Sequence, residues 1–324
     1  METELCFPLL LNSSCRKPLQ HRAFILIYSL LACISVLTVA LNLLVIISIS
    51  HFRQLHTPTN VLLLSLAVSD LLVGLFMMPL QIILLRGCWD LGSLICGMFS
   101  YTSFILTSAS VGNMVLISID RHMAICNPLS YPTKVTQTRV KLCVCLCWAS
   151  SVFYNGVILI DFLKHPNIYS SCYGECIVMI NFITGSVDVM FTFVGPISVI
   201  VVLYMRVFVV ALTQARAMRS HISGVTIQSS MVTTKKSERK AARTLGIVIV
   251  VFLMCFCPYF YPSLAGQDLI TGVEFSTFGI WLLFCNSCVN PLVYALFYPW
   301  FRRSVKLIVT LQILQPGSCD ANVL

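Results

Sequence analysis

AFILIYSLLACISVLTVALNLLVIISIS, residues 23–50, carries no charged side chain. A helix needs roughly 20 apolar residues to cross about 30 Å of hydrocarbon, so this run is long enough to span a membrane. Six more runs of the same kind follow, at 60–85, 93–122, 138–163, 181–210, 241–264 and 275–298; in chain order the seven are α1 to α7. Helices are required because lipid offers no partner to an unpaired backbone amide or carbonyl. The dyad alternation of a membrane barrel is absent. There is no repeat with paired broken segments, which counts against a transporter. The first apolar run is also too long for a cleavable leader. The chain is therefore expected to be an all-α membrane protein with seven transmembrane helices.

Composition agrees. Of 324 residues, 58% are hydrophobic and 10% charged, where a soluble domain has about a quarter charged. If the N-terminus lies outside, only Arg16, Lys17, Arg22, Arg86 and Lys164 of the 21 basic residues are external. That bias obeys the positive-inside rule and accounts for the net charge of +9. It makes the charge a matter of topology, not of nucleic-acid binding. The predicted organisation is an external segment 1–22, a helical domain 23–298, and a tail 299–324 that opens with an amphipathic interfacial helix, α8. The sequon at Asn12 falls in the external segment and is a glycosylation candidate. Cys6, Cys15, Cys88, Cys172 and Cys176, with Cys96 at the mouth of α3, lie where disulfides form.

Ionisable groups in hydrocarbon are costly and call for a functional reason. Three acids lie within the helices: Asp70 in α2, Asp120 at the inner end of α3 and Asp188 in α5. Asp120-Arg121-His122 resembles the Asp-Arg-Tyr signature of rhodopsin-like G-protein-coupled receptors. Asn42, the run Leu66-Ala67-Val68-Ser69-Asp70, Trp148, Pro196, Tyr204 and Asn290-Pro291-Leu292-Val293-Tyr294 match that family helix by helix. The resemblance implies a lock between Arg121 and Glu238 that opens when α6 swings out to admit the G protein. It places Tyr204, Phe256, Asn290, Pro291 and Tyr294 in the same switch. It also implies a Cys96–Cys176 disulfide. Asp70, Ser110, Asn286 and Asn290 fall where the family holds a sodium ion; one carboxylate among neutral oxygens suits a weakly held hard cation. A plain interhelical hydrogen-bond network is the other reading of those four. No other cofactor is implied.

Residues 286–301, NSCVNPLVYALFYPWF, are similar to the narrower fingerprint of trace amine-associated receptors. Trp281 and the second-loop cysteine Cys172 point the same way. In that family this cysteine pairs with the N-terminal segment; Cys15 is the first choice here and Cys6 the competitor. The resemblance implies a small amine ligand, a stimulatory G protein raising cyclic AMP, and contacts with arrestin, a receptor kinase and membrane lipids. It implies a plasma membrane location in olfactory sensory neurons, and no enzymatic role.

One departure decides the ligand reading. The usual ammonium-binding aspartate lies 18 residues before the signature arginine, where this chain has Ser103. The tyrosine that normally serves that aspartate is replaced by Phe284. A replacement acid is available: Asp188, eight residues before Pro196, resembles the helix 5 acid of a fish subset of the family. Asp188 is thus the expected ammonium partner, unless it serves only Thr184, Thr192 or a neighbouring helix. Thr102, Ser103, Thr107, Thr192, Phe256, Tyr259, Phe260, Trp281 and Phe284 form the expected pocket wall, aromatic faces being attractive to cations. Phe256 stands where the family usually has tryptophan. A receptor for a neutral lipid or a short peptide is the alternative.

Overall fold

The structure, a computed structural model, describes residues 5–8, 14–15, 23–164, 172–178, 180, 182–222, 246–247, 249–260 and 273–323. Among them, six helices are long and apolar enough to cross a membrane, and Ile249–Phe260 is a shorter seventh. The helices are α1 Ala23–His51, α2 Pro58–Leu85, α3 Gly92–Cys126, α4 Gln137–Ile158, α6 Ile249–Phe260, α7 Val273–Phe297 and α8 Pro299–Val309. The fifth, α5, runs from Phe182–Val189 through a π turn, Met190–Val194, into Gly195–Ile222.

Local chemistry sets the starts. The Thr57 hydroxyl accepts from the Asn60 amide at 3.3 Å, and Pro58 fills the first turn of α2, where no amide donor is needed. Thr136 caps α4 in the same way through the Arg139 amide. Two helices outrun the apolar pattern. α3 ends at Cys126 rather than 122, and α5 continues to Ile222 rather than 210, because helices do not stop where hydrocarbon does. α4 breaks at Leu159, and a separate turn, Ile160–Lys164, carries the remainder of the predicted span.

The packing is inside-out. Asn42, Asp70 and Asn113 are fully buried, while Leu26, Phe153 and Ile183 are about three-quarters exposed. A surface this apolar belongs in lipid. Between the helices, polar groups and small residues make the contacts. Asn42 Nδ2 donates to the Ser287 carbonyl at 2.9 Å, joining α1 to α7. Trp148 Nε1 donates to Ser65 Oγ at 3.0 Å and Asn155 Nδ2 to Ser108 Oγ at 2.7 Å, tying α4 to α2 and α3. Such bonds contribute about 0.6 kcal/mol each on average. Gly112 lies so close to the Cys147 sulfur that a Cβ there would collide with it.

At one end of the bundle three disulfides cluster: Cys96–Cys176, Cys15–Cys172 and Cys6–Cys88. Cys6, which competed for Cys172 on sequence grounds, instead holds the segment to the turn after α2. The Cys15 amide donates to the Tyr173 carbonyl at 3.0 Å, and Phe7 meets Tyr173 edge-on with centroids 4.9 Å apart. Gly174 sits at φ +105°, and a Cβ there would come within 2.9 Å of the Phe7 ring. Both the backbone and the contact therefore require glycine. At the opposite end, α8 buries Trp300 and Phe301 and exposes Arg302 and Arg303. The chain then folds back. Ser318 Oγ shares a hydrogen bond with His51 Nε2 at 3.0 Å, the Val323 amide donates to Gln54 Oε1 at 3.3 Å, and Val323 is fully buried.

Candidate ligand and signalling site

Pro79 and Pro196, each following a π turn, Val73–Met77 in α2 and Met190–Val194 in α5, shape the interior. Pro196 has no amide for the carbonyl one turn earlier, and the π turn Met190–Val194 ends two residues before it. A π turn inserts one residue and so rotates everything before it by roughly 100°. That rotation brings Asp188 inward: it is 8% exposed beside Val187 at 41%. The Thr192 hydroxyl donates to the Asp188 backbone carbonyl at 2.6 Å, so its proton serves the loosened backbone and not the carboxylate. Among the described residues Asp188 Oδ1 is buried without a hydrogen-bond partner at normal distance. Among the described residues the carboxylate makes no ion pair. Tyr154 of α4 and Tyr259 of α6 are both close enough to interact with it electrostatically. Beside it, Phe193 stacks on Phe260 at 4.4 Å, and Tyr259 meets Phe260 edge-on at 4.8 Å.

Ser103 lies on another side of the interior. With Thr107, Ser110, Phe256, Phe284 and Asn286 it lines a cavity of about 10 Å³, room for about one water molecule. Trp281 is buried above, edge-on to Phe284 at 6.1 Å. The residues named from sequence thus form two groups: Ser103, Thr107 and Phe284 around the cavity, and Asp188, Thr192, Tyr259 and Phe260 between α5 and α6. Phe256, stacked on Phe252 at 4.0 Å, closes the cavity on the α6 side.

Below the cavity, Asn290 Nδ2 donates to Asp70 Oδ2 at 2.9 Å, and Ser110 Oγ lies 3.2 Å from Ser69 Oγ. Asp70 Oδ1 and Asn286 Oδ1 are buried without partners. Both oxygens are donors of lone pairs that a small cation or a further hydrogen-bond donor could take up.

At the far end of α3, Arg121 pairs with Asp120 and with the Thr59 hydroxyl. Asp120 in turn accepts from Thr59 Oγ1 at 2.9 Å and from the Tyr131 hydroxyl at 2.8 Å. Burial pushes the Tyr131 phenol above its usual range, which keeps it a donor. Tyr204 of α5 lies against Gly246, so closely that no Cβ fits there. Tyr294 is buried with its hydroxyl unpartnered. Glu238 and Asn12 lie outside the described residues. Thr59 and Tyr131 were missed from sequence because neither lies in the Asp-Arg-His motif. Tyr154 was missed too, although a phenol within a span is a signal, since a buried one normally finds a partner.

Removing the Tyr131 hydroxyl deprives Asp120 of one charge-assisted bond and loosens its hold on Arg121. Tyr131→Phe is expected to raise ligand-independent G-protein signalling about 3- to 10-fold at unchanged surface level. Basal signalling equal to wild type would remove Tyr131 from the lock.

Six membrane-length helices and a shorter seventh, with a buried Asp120–Arg121 cluster at one end and polar groups along the interior, have the layout of a membrane receptor. Residues 41–294 match the 7 transmembrane receptor (rhodopsin family). The chain belongs to this family and, within it, to the trace amine-associated receptors. It is 39% identical to trace amine-associated receptor 13c of Danio rerio over 336 aligned positions, covering 99% of this chain and 96% of the relative. Trace amine-associated receptor 1 of Macaca mulatta is 38% identical over 303 positions, 90% of each chain. Trace amine-associated receptor 8a of Rattus norvegicus is 36% identical over 331 positions, 97% of this chain and 95% of the relative.

Proposed function

We propose that this receptor senses small amines, with Asp188 on α5 as the partner of the ligand ammonium. One observation carries the reading: Asp188 is a buried carboxylate with a free oxygen and, among the described residues, no cationic partner. A charge buried in this way needs a counter-ion, and a ligand that brings one gains the whole pairing energy. The relatives' names, all trace amine receptors, point to the same ligand class. With Ser103 uncharged, the ammonium end lies toward α5 and the rest of the ligand toward Ser103 and Phe284. Binding at Asp188 then bears on the Phe193–Phe260 stack and through it on α6, whose movement frees Arg121 for the G protein.

The Lys/Arg bias supports an external N-terminus in the plasma membrane. The remaining parts of the proposal are a stimulatory G protein raising cyclic AMP, regulation by a receptor kinase and arrestin, expression in olfactory sensory neurons, and glycosylation at Asn12. Asp70, Ser110, Asn286 and Asn290 would hold a sodium ion that steadies the inactive packing, through the two orphaned oxygens. Cyclic-AMP responses to mono-, di- and polyamines, each beside its neutral alcohol analogue, test the reading. Responses to amines alone support it; equal potency of an alcohol and its amine contradicts it.

A further inference from the structure

Asp188 does not stand alone. The Tyr154 hydroxyl, on α4, faces the same carboxylate. The contact is longer than an ordinary hydrogen bond: among the described residues, Tyr154 Oη and Asp188 Oδ1 are both buried polar atoms with no partner at normal bonding distance. Two unpartnered oxygens side by side in a low-dielectric interior are each costly. A ligand group with at least two N–H bonds placed between them can bond to both, donating to the carboxylate and to the phenol oxygen. Thr192 supplies none, because its proton goes to the Asp188 carbonyl at 2.6 Å. Tyr154 is held in place from the lipid side by Phe191, with ring centroids 6.2 Å apart. The α4 backbone beside it is pinned to α3 by Asn155, whose Nδ2 reaches Ser108 Oγ at 2.7 Å.

We infer that Tyr154 and Asp188 together read the degree of substitution of the ligand ammonium. A primary ammonium has three N–H bonds and serves both oxygens. A secondary one still serves both. The phenol can turn its own hydrogen to the carboxylate, so a tertiary ammonium, with a single N–H, gives up one of the two ligand bonds and a quaternary one gives up both. The site therefore favours primary and secondary amines over tertiary and quaternary ones, and Tyr154 sets that preference. This rests on the reading of Asp188 as the ammonium partner.

The test uses the full-length receptor in cells with surface level monitored, and n-pentylamine and phenethylamine, each with its N-methyl, N,N-dimethyl and N,N,N-trimethyl derivatives. In wild type the primary amine is expected to be on the order of 10- to 100-fold more potent than the N,N-dimethyl form, the worth of one hydrogen bond to a charged group. In Tyr154→Phe that ratio falls to within about 3-fold through weaker primary-amine responses, with maximal response unchanged; a merely structural role would weaken all derivatives alike. Tyr154→His, which keeps a ring nitrogen as acceptor, restores part of the ratio. If Tyr154→Phe does not reach the surface, Tyr154→Met carries the same comparison. A ratio unchanged from wild type in these variants, while Asp188→Asn abolishes amine responses, overturns the inference alone. Wild-type amine potency in Asp188→Asn, or no response to any of these amines, overturns the ammonium reading and this inference with it.

Discussion

Asp188→Asn is expected to lower amine potency by about 30- to several thousand-fold while surface expression stays at the wild-type level. The estimate follows from the loss of one partner of a desolvated charge pair, about 2–5 kcal/mol. The change keeps the shape of the side chain and exchanges a carboxylate oxygen for an amide that repels an ammonium. Folding is expected to tolerate it, because a buried carboxylate without a cationic partner contributes little to the stability of the unliganded bundle. Concentration–response curves on receptors matched for surface level measure the effect. Potency within about 3-fold of wild type would return Asp188 to a purely local role.

The second large effect is at the disulfide end. Cys96 is 3% exposed at the mouth of α3, and its bond to Cys176 closes a stretch 80 residues apart in sequence. Constraining a loop of that length is worth about 4.5 kcal/mol in the chain-entropy account. Stabilities run to about 5–15 kcal/mol, so Cys96→Ser/Cys176→Ser is expected to lower the melting temperature of the detergent-solubilised receptor by roughly 10 °C or more. The double substitution avoids a stray thiol. A melting temperature within about 2 °C of wild type would show that the other two bridges and the helix packing carry this end.

The helices were legible because lipid imposes a strict rule on sequence: an apolar run of sufficient length has one stable conformation there. The receptor class was legible because Asp120-Arg121-His122 and Asn290-Pro291 lie at fixed helical depths. What escaped was geometry that periodicity does not encode. Counting eight residues back from Pro196 places Asp188 by depth, but the π turn Met190–Val194 changes which way it faces. Tyr154 approaches Asp188 from another helix, and no spacing within α4 announces that. The pairing of six cysteines allows many connectivities, so Cys6–Cys88 was out of reach. No signal in the sequence set a course for the tail beyond α8, and Ser318 and Val323 return to the turn after α1, where Leu311 adopts the left-handed conformation that reverses the chain. The expected single pocket wall also resolved into two groups, since Ser103 and Asp188 face different parts of the interior.

The ligand's charge is expected on α5 and not on α3. Determining the receptor's structure with an activating amine bound tests it most directly. The predicted result is the ammonium nitrogen at about 2.8 Å from the Asp188 carboxylate, with the rest of the ligand extending toward Ser103 and Phe284. An ammonium beside Ser103, with Asp188 untouched and still facing Tyr154, would contradict it.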